Sequence, residues 1–209
     1  MSFEPLTPER RRQQTSDYLL RAAEQVFAER GFNGASLDEV AAVAGFTKGA
    51  VYSNFKNKED LFLALLESRY AEELQQVRAT LESTEGGSKA HLGDFAALMR
   101  EQYETGEAWT MLDLEFCLYA MRNPAAREKL AAFRRMDADS IAQIIEAERE
   151  KQNIETREPA HHAARIVVAL MRGVGIMRLI DPETVDETFL EDLMGFVYRA
   201  MTSPDDPTS

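Results

Sequence analysis

The stretch Ser36-Leu37-Asp38-Glu39-Val40-Ala41-Ala42-Val43-Ala44-Gly45-Phe46-Thr47-Lys48-Gly49-Ala50-Val51-Tyr52-Ser53-Asn54-Phe55-Lys56-Asn57-Lys58 decides how the chain is read. Ser36, with Glu39 three residues on, has the spacing of a capping box and opens a helix. That helix is short, because Gly45 stops it. Thr47 is placed to cap a second helix running to about Phe55. Ala41, four residues before Gly45, is small enough to let the second helix cross the first closely. Gly45 takes a left-handed turn conformation at little steric cost. Val40, Ala44, Val51 and Phe55 are spaced to pack the pair. Two short helices joined this way form a helix-turn-helix, whose second helix lies in the major groove of DNA.

The outward residues of the second helix suit that task. Thr47 and the free amides at its start suit a phosphate. Lys48 has the reach for guanine acceptors or a phosphate, and Asn54 has the geometry to pair with adenine. Gly49 lets the backbone approach the groove, and Tyr52 offers a ring and a hydroxyl. Lys56 and Lys58 follow on the rim. The candidate DNA-binding set is therefore Ser36, Thr47, Lys48, Gly49, Tyr52, Asn54, Lys56 and Lys58. Plainer readings stay open beside it: the two rim lysines as solvated charges, Tyr52 as a half-buried aromatic, Asn54 as a local cap.

Outward from this segment the chain reads as helix throughout. Thr7-Pro8-Glu9 is a helix start, and Leu19, Ala22, Ala23, Val26 and Phe27 repeat at helical spacing as far as Gly31. Phe32 is expected to fold back on that helix. Asn57-Lys58-Glu59-Asp60 caps a long helix to about Leu81, and Ser83–Ser88 reads as a linker. Helices are expected near 89–104 and 108–121, from Asn123-Pro124 to about Gln152, and from Glu158-Pro159 to Ile180. Asp181-Pro182-Glu183 is expected to open the last, to about Met201. No strand pair or internal repeat stands out. The fold class is all-α, with a helix-turn-helix domain over 1–57, a larger helical ligand-binding and dimerisation domain over 58–201, and a disordered tail over 202–209.

From Thr47 to Phe62 the sequence closely resembles the recognition segment of the TetR family. Phe27-Ala28-Glu29-Arg30-Gly31-Phe32, Ser36-Leu37 and Val40-Ala41-Ala44-Gly45 match at the expected spacing, so the likeness spans roughly Leu19 to Leu66. The resemblance implies a homodimeric bacterial regulator, usually a repressor released by a small ligand. It also implies that Lys48, Gly49, Tyr52 and Asn54 face the groove while Thr47, Lys56 and Lys58 hold the backbone. Nothing in the body of the chain marks a subfamily.

Charge agrees with that division. The net charge is −12, which excludes a general cationic coat for nucleic acid. Residues 1–60 carry eight Lys/Arg against nine acids, so most of the acidity lies beyond them; a polyanion should meet the N-terminal part. One cysteine, Cys117, excludes an intrachain disulfide and fits a reducing cytoplasm. The polar N-terminus is not read as a secretory signal. Ile166–Met171, the longest apolar run noted, is too short to cross a bilayer.

The body concentrates methionine and aromatic residues. Phe95, Met99, Tyr103, Trp109, Leu112, Phe116, Tyr119, Phe133 and Met171 are the candidate ligand-binding set, suited to an apolar or aromatic effector. Core filling at helical spacing is the competing reading. Asp113 and Glu115 stand among these residues, either to meet a cation or simply solvated. The last two helices are apolar over wide arcs, with Gly173 and Gly175 inside one of them, and the surplus points to a homodimer through residues about 160–201. No cofactor, metal site or nucleophile–base pairing is recognised, so no enzyme is expected. The adjacent His161 and His162 point to different faces of a helix. The rivals to a ligand-released repressor are a regulator of the same fold controlled by a protein partner, and a helical enzyme with a vestigial head.

Overall fold

The computed structural model describes residues 7–83, 97–102, 106–156 and 158–202. Helix α1 spans Pro8–Gly34, with Thr7 Oγ1 accepting the Arg10 N–H at 3.2 Å. Its regular path breaks at Gly31, where φ is 68°. Phe32 then turns inward, fully buried, and stacks on Phe27 at 6.0 Å. Helix α2 spans Leu37–Ala44 and has the expected capping box: Ser36 Oγ accepts the Glu39 N–H, and Glu39 Oε2 accepts the Ser36 N–H at 3.0 Å. Gly45 ends it in the left-handed region (φ 71°). A Cβ there would meet nothing within 4 Å, so the turn selects glycine for its backbone and not for space. Helix α3, Lys48–Asn54, is capped by Thr47, and helix α4, Lys58–Ser83, begins with Asn57 Oδ1 accepting the Asp60 N–H at 2.8 Å.

Residues 97–102 are helical. Helices α5 (Glu107–Arg122), α6 (Pro124–Gln152) and α7 (Ala160–Ile180) follow close to the expected limits. The last start is different. Pro182–Thr184 forms only a turn of 3-10 helix, Val185 is buried, and helix α8 (Glu187–Thr202) is capped by Asp186, whose Oδ1 accepts the Phe189 N–H at 2.8 Å. Asp181-Pro182-Glu183 has the letters of a helix start, but Asp186 provides the cap. Among the described residues there are no strands, and no helix is long and apolar enough to cross a membrane. The linker residues beyond Ser83, Phe95, Tyr103 and the tail beyond Thr202 lie outside the described residues.

Two compact units arise. The first joins the chain up to Arg69 with Met111–Leu130. Its core packs Phe27, Phe32, Phe62 and Phe116, all fully buried, with Phe27–Phe62 at 5.1 Å and Phe32–Phe116 at 4.9 Å edge to face, and Phe62–Phe116 tilted at 4.6 Å. The short α2–α3 pair has too little apolar surface to hold itself, and it packs on α1, whose Phe27 and Phe32 are fixed in this aromatic block. The second unit joins Tyr70–Thr110 with the chain from Ala131 on. Met99, Met194 and Val197 form one cluster there; Ile145, Ala163 and Ala164 form another; Val174, Val185 and Leu190 a third.

Candidate nucleic-acid interface

Helix α3 buries Val51 and presents the opposite side to solvent. Thr47, Lys48, Gly49 and Tyr52 are all exposed, Tyr52 by 55%. Tyr52 is therefore a surface aromatic and not a core one. At Gly49 a Cβ would meet only Thr47 Oγ1 at 3.8 Å, an ordinary contact, so nothing in the chain itself requires glycine there. Lys56 is exposed beyond the end of the helix.

Other members of the sequence set have structural partners. Ser36 is held in its capping box, its hydroxyl donating to Glu39 Oε2 at 2.8 Å. Thr47 Oγ1 accepts the Ala50 N–H at 3.2 Å. Asn54 turns its amide back on its own helix and donates to the Ala50 carbonyl at 2.8 Å. Lys58 departs furthest from the expected rim position. Its ammonium donates to the carbonyls of Asn33 at 3.1 Å and Ala35 at 3.0 Å, and lies 4.8 Å from the centre of the Phe32 ring. Burial lowers this ammonium below its usual 10.5, against the opposing charges of Glu59 and Glu39. The carbonyls left open after the Gly31 break draw this lysine inward.

Three features were not singled out from the sequence. Arg10, Arg11 and Arg12 form an exposed basic turn at the start of α1, and Arg12 Nη2 reaches the Ser53 carbonyl on α3 at 3.5 Å, the outer limit of hydrogen bonding. The run of three arginines was the available signal. Tyr18, 58% exposed, tilts against Phe46 at 6.2 Å, beside the turn that launches α3. Asp38 pairs with the Lys48 ammonium through Oδ2. That hydrogen bond is the main reason the ammonium holds its proton more firmly than an ordinary lysine.

The candidate ligand residues divide between the units. Leu112 and Phe116 are buried in the first unit, and Tyr119 lies against Phe32 at 4.9 Å. The Tyr119 hydroxyl donates to Glu59 and accepts from Asn123 Nδ2 at 3.0 Å. Tyr119 also lines an open cleft of about 320 Å³ with Asn33, Glu115, Leu118, Arg122 and Asn123. In the second unit Met171 packs on the cluster around Met99, and Phe133 meets Tyr70 at 5.4 Å. Trp109, half-buried, belongs to that unit as well. Beside Phe133, the Tyr70 hydroxyl accepts from Arg134 at 3.1 Å and Arg172 at 3.4 Å, and Arg172 lies 3.6 Å from the buried Asp137.

Residues 19–65 match the family described as bacterial regulatory proteins, tetR family, and residues 89–202 match the C-terminal part of BetI-type transcriptional repressors. The chain is 28% identical over 168 residues to the HTH-type transcriptional repressor BepR of Brucella suis biovar 1, covering 77% of this chain and 78% of that protein. It is 29% identical over 189 residues to the HTH-type transcriptional repressor AcnR of Corynebacterium glutamicum, covering 88% and 80%. Its fold matches the solved structure of Salmonella enterica GusR with a TM-score of 0.70 at 24% identity, over 95% of this chain and 99% of that one.

Proposed function

The chain belongs to the TetR family of bacterial regulatory proteins, which are transcriptional regulators and not enzymes, and from that premise we propose a ligand-responsive repressor that binds a palindromic operator as a homodimer. The observation that carries this reading is the solvent-facing side of α3, where Lys48, Gly49 and Tyr52 stand exposed on a helix fixed from behind by Val51. Lys48 and Tyr52 meet base edges, Gly49 allows close approach, and Thr47, Lys56 and the Arg10–Arg12 turn hold phosphates. Ser36 and Asn54 contribute from their capping and back-bonded positions. Lys58 serves as an internal brace of the head. DNA reading is the role of residues 1–57, and sensing and dimerisation that of 58–201.

The homodimer forms through α7 and α8. Ile166, Gly173, Met177 and Ile180 fall on one face of α7, all exposed, and Phe196 of α8 is 60% exposed. A Cβ on Gly173 would meet nothing within 4 Å, so its cost to helix stability is not offset by close packing within one chain. A second copy supplies that packing. Two heads in such a dimer read half-sites about 34–36 Å apart.

The effector is a small, apolar or aromatic molecule, and it binds in the second unit near Met99, Trp109, Phe133 and Met171. Leu112 and Phe116 belong to the core of the first unit and take no direct part, while Tyr119 is held by Glu59 and Asn123 beside the cleft of that unit. Helices α4, α5 and α6 each begin in one unit and end in the other. A ligand that prefers one setting of these helices shifts the heads by its differential affinity for the two states. The protein acts in the cytoplasm, where the DNA lies. The test is selection of duplexes from a random-sequence pool, followed by footprinting. A two-fold symmetric motif is expected; enrichment of no motif would overturn the reading.

A further inference from the structure

Among the described residues, the surface around α3 holds one acid paired to a candidate base reader. Asp38 stands in the first turn of α2 and Lys48 opens α3, ten residues later. Both side chains are largely solvent-exposed, 47% for Asp38 and 68% for Lys48. An exposed pair of this kind contributes little to stability. An acid there also opposes the approach of phosphates. The N-terminal end of α2 favours a negative charge, but Glu39 in the same turn already supplies one within the capping box. A second acid with a direct hold on Lys48 therefore calls for a role beyond helix capping.

We propose that Asp38 is a specificity-determining residue acting through Lys48: its carboxylate ties the ammonium between α2 and α3, so that the remaining N–H donors face base acceptors and not the nearest phosphate. A free lysine on a four-carbon stem takes any anion within reach and pairs with phosphate as a point charge. Phosphate contacts add affinity without sequence information, while base contacts discriminate. Asp38 thus lowers general affinity for DNA and raises the ratio of specific to non-specific binding. The inference rests on α3 being the recognition helix.

The test compares wild type with Asp38→Asn, Asp38→Ser and Asp38→Glu. Each is titrated against the duplex that wild type enriches from a random-sequence pool, and against duplex of mixed sequence, over a range of salt. Asp38→Asn and Asp38→Ser should bind mixed-sequence DNA several-fold more tightly. Their specificity ratio should fall at least about fivefold, the lower end for losing one good base contact. Their non-specific salt slope should steepen by about 0.9 per head, as Lys48 takes up one further phosphate. Asp38→Glu should keep the wild-type ratio. In a Lys48→Ala background, where only non-specific binding remains, Asp38→Asn should no longer steepen the salt slope, because the ammonium it would release is absent. An unchanged ratio in both Asp38→Asn and Asp38→Ser, or an equal steepening of the salt slope in the Lys48→Ala background, would overturn the proposal. Failure of wild type to enrich any sequence would overturn it together with the reading of α3, and so is distinguishable from failure of Asp38 alone.

Discussion

The carboxylate of Glu115 accepts the backbone N–H of Phe32 at 2.7 Å, joining α5 to the break in α1 across 83 positions of sequence. The same carboxylate fills the space over Gly31, where an added Cβ would lie 2.7 Å from Oε2. Gly31 is selected by its φ of 68°, and a side chain there would also have to displace the Glu115 carboxylate from the Phe32 N–H. From the sequence, Glu115 was equally a cation partner or a solvated charge. Its position shows it completing the turn that sends Phe32 into the aromatic core.

Removing either partner should destabilise the first unit. Glu115→Ala strands a backbone donor and should cost about 1–3 kcal/mol. Gly31→Ala forces a side chain into a positive-φ, extended-ψ conformation that is essentially restricted to glycine, about 1–3 kcal/mol, and adds the clash with Glu115. The clash disappears in the double variant, so the two losses should sum to more than the double variant shows. Urea denaturation of the three proteins measures this. Strict additivity would mean that the two sites do not interact.

Tyr119 provides a test in pH. Its hydroxyl donates to Glu59, and that bond, followed by burial and the charge of Glu59, raises the phenol above its usual 10.0; Asn123 opposes. The folded protein therefore holds this proton more firmly than the unfolded chain. The stability it contributes is fully present below pH 10.0 and is lost as pH rises through the raised value. The stability difference between wild type and Tyr119→Phe should be level from neutral pH up to about 10.0 and shrink from there through the raised value. A difference that grows with alkalinity would contradict the hydrogen bond.

Gly173→Leu tests the dimer. The site opens to solvent in the single chain, so a leucine fits there and removes a helix glycine. The monomer should be as stable or more so, while overpacking of a helix seam between copies should weaken association by about 1–3 kcal/mol. Phe196→Asp should weaken it as well. Sedimentation showing both variants as dimeric as wild type would move the interface elsewhere.

Gly49→Ala separates DNA approach from folding. The added Cβ has room in the protein, so thermal stability should hold or rise by up to about 1 kcal/mol. Operator affinity should fall, because the methyl group stands between α3 and the groove. Unaltered affinity in an anisotropy titration would take Gly49 out of the interface.

The caps and turns of the head were legible because they are local chemistry: Ser36 with Glu39, Gly45 and Thr47 each act within a few residues of themselves. Tyr52 reads from sequence either as an outward ring or as a half-buried aromatic, and the structure places it at the surface. What sequence could not place were contacts made at long range. Lys58 turns inward because carbonyls 23 and 25 residues away are left open. Phe116 joins the aromatic core of the head through Phe32 and Phe62, partners remote in sequence that no local pattern points to. The start of α8 differs because two aspartates five residues apart both resemble caps, and Asp186 accepts the Phe189 N–H while Asp181 makes no side-chain cap bond to the turn that follows it.

The central claim is that the exposed side of α3 reads DNA. The most direct measurement is equilibrium titration of Tyr52→Ala and Lys48→Ala against the duplex that wild type enriches from a random-sequence pool, with melting temperatures recorded in parallel. Both side chains project into solvent, so stability should change by no more than about 0.5 kcal/mol. Sequence-specific binding should be lost, leaving only weak, salt-sensitive association. Wild-type affinity for that duplex in both variants would contradict the assignment of α3 as the recognition helix.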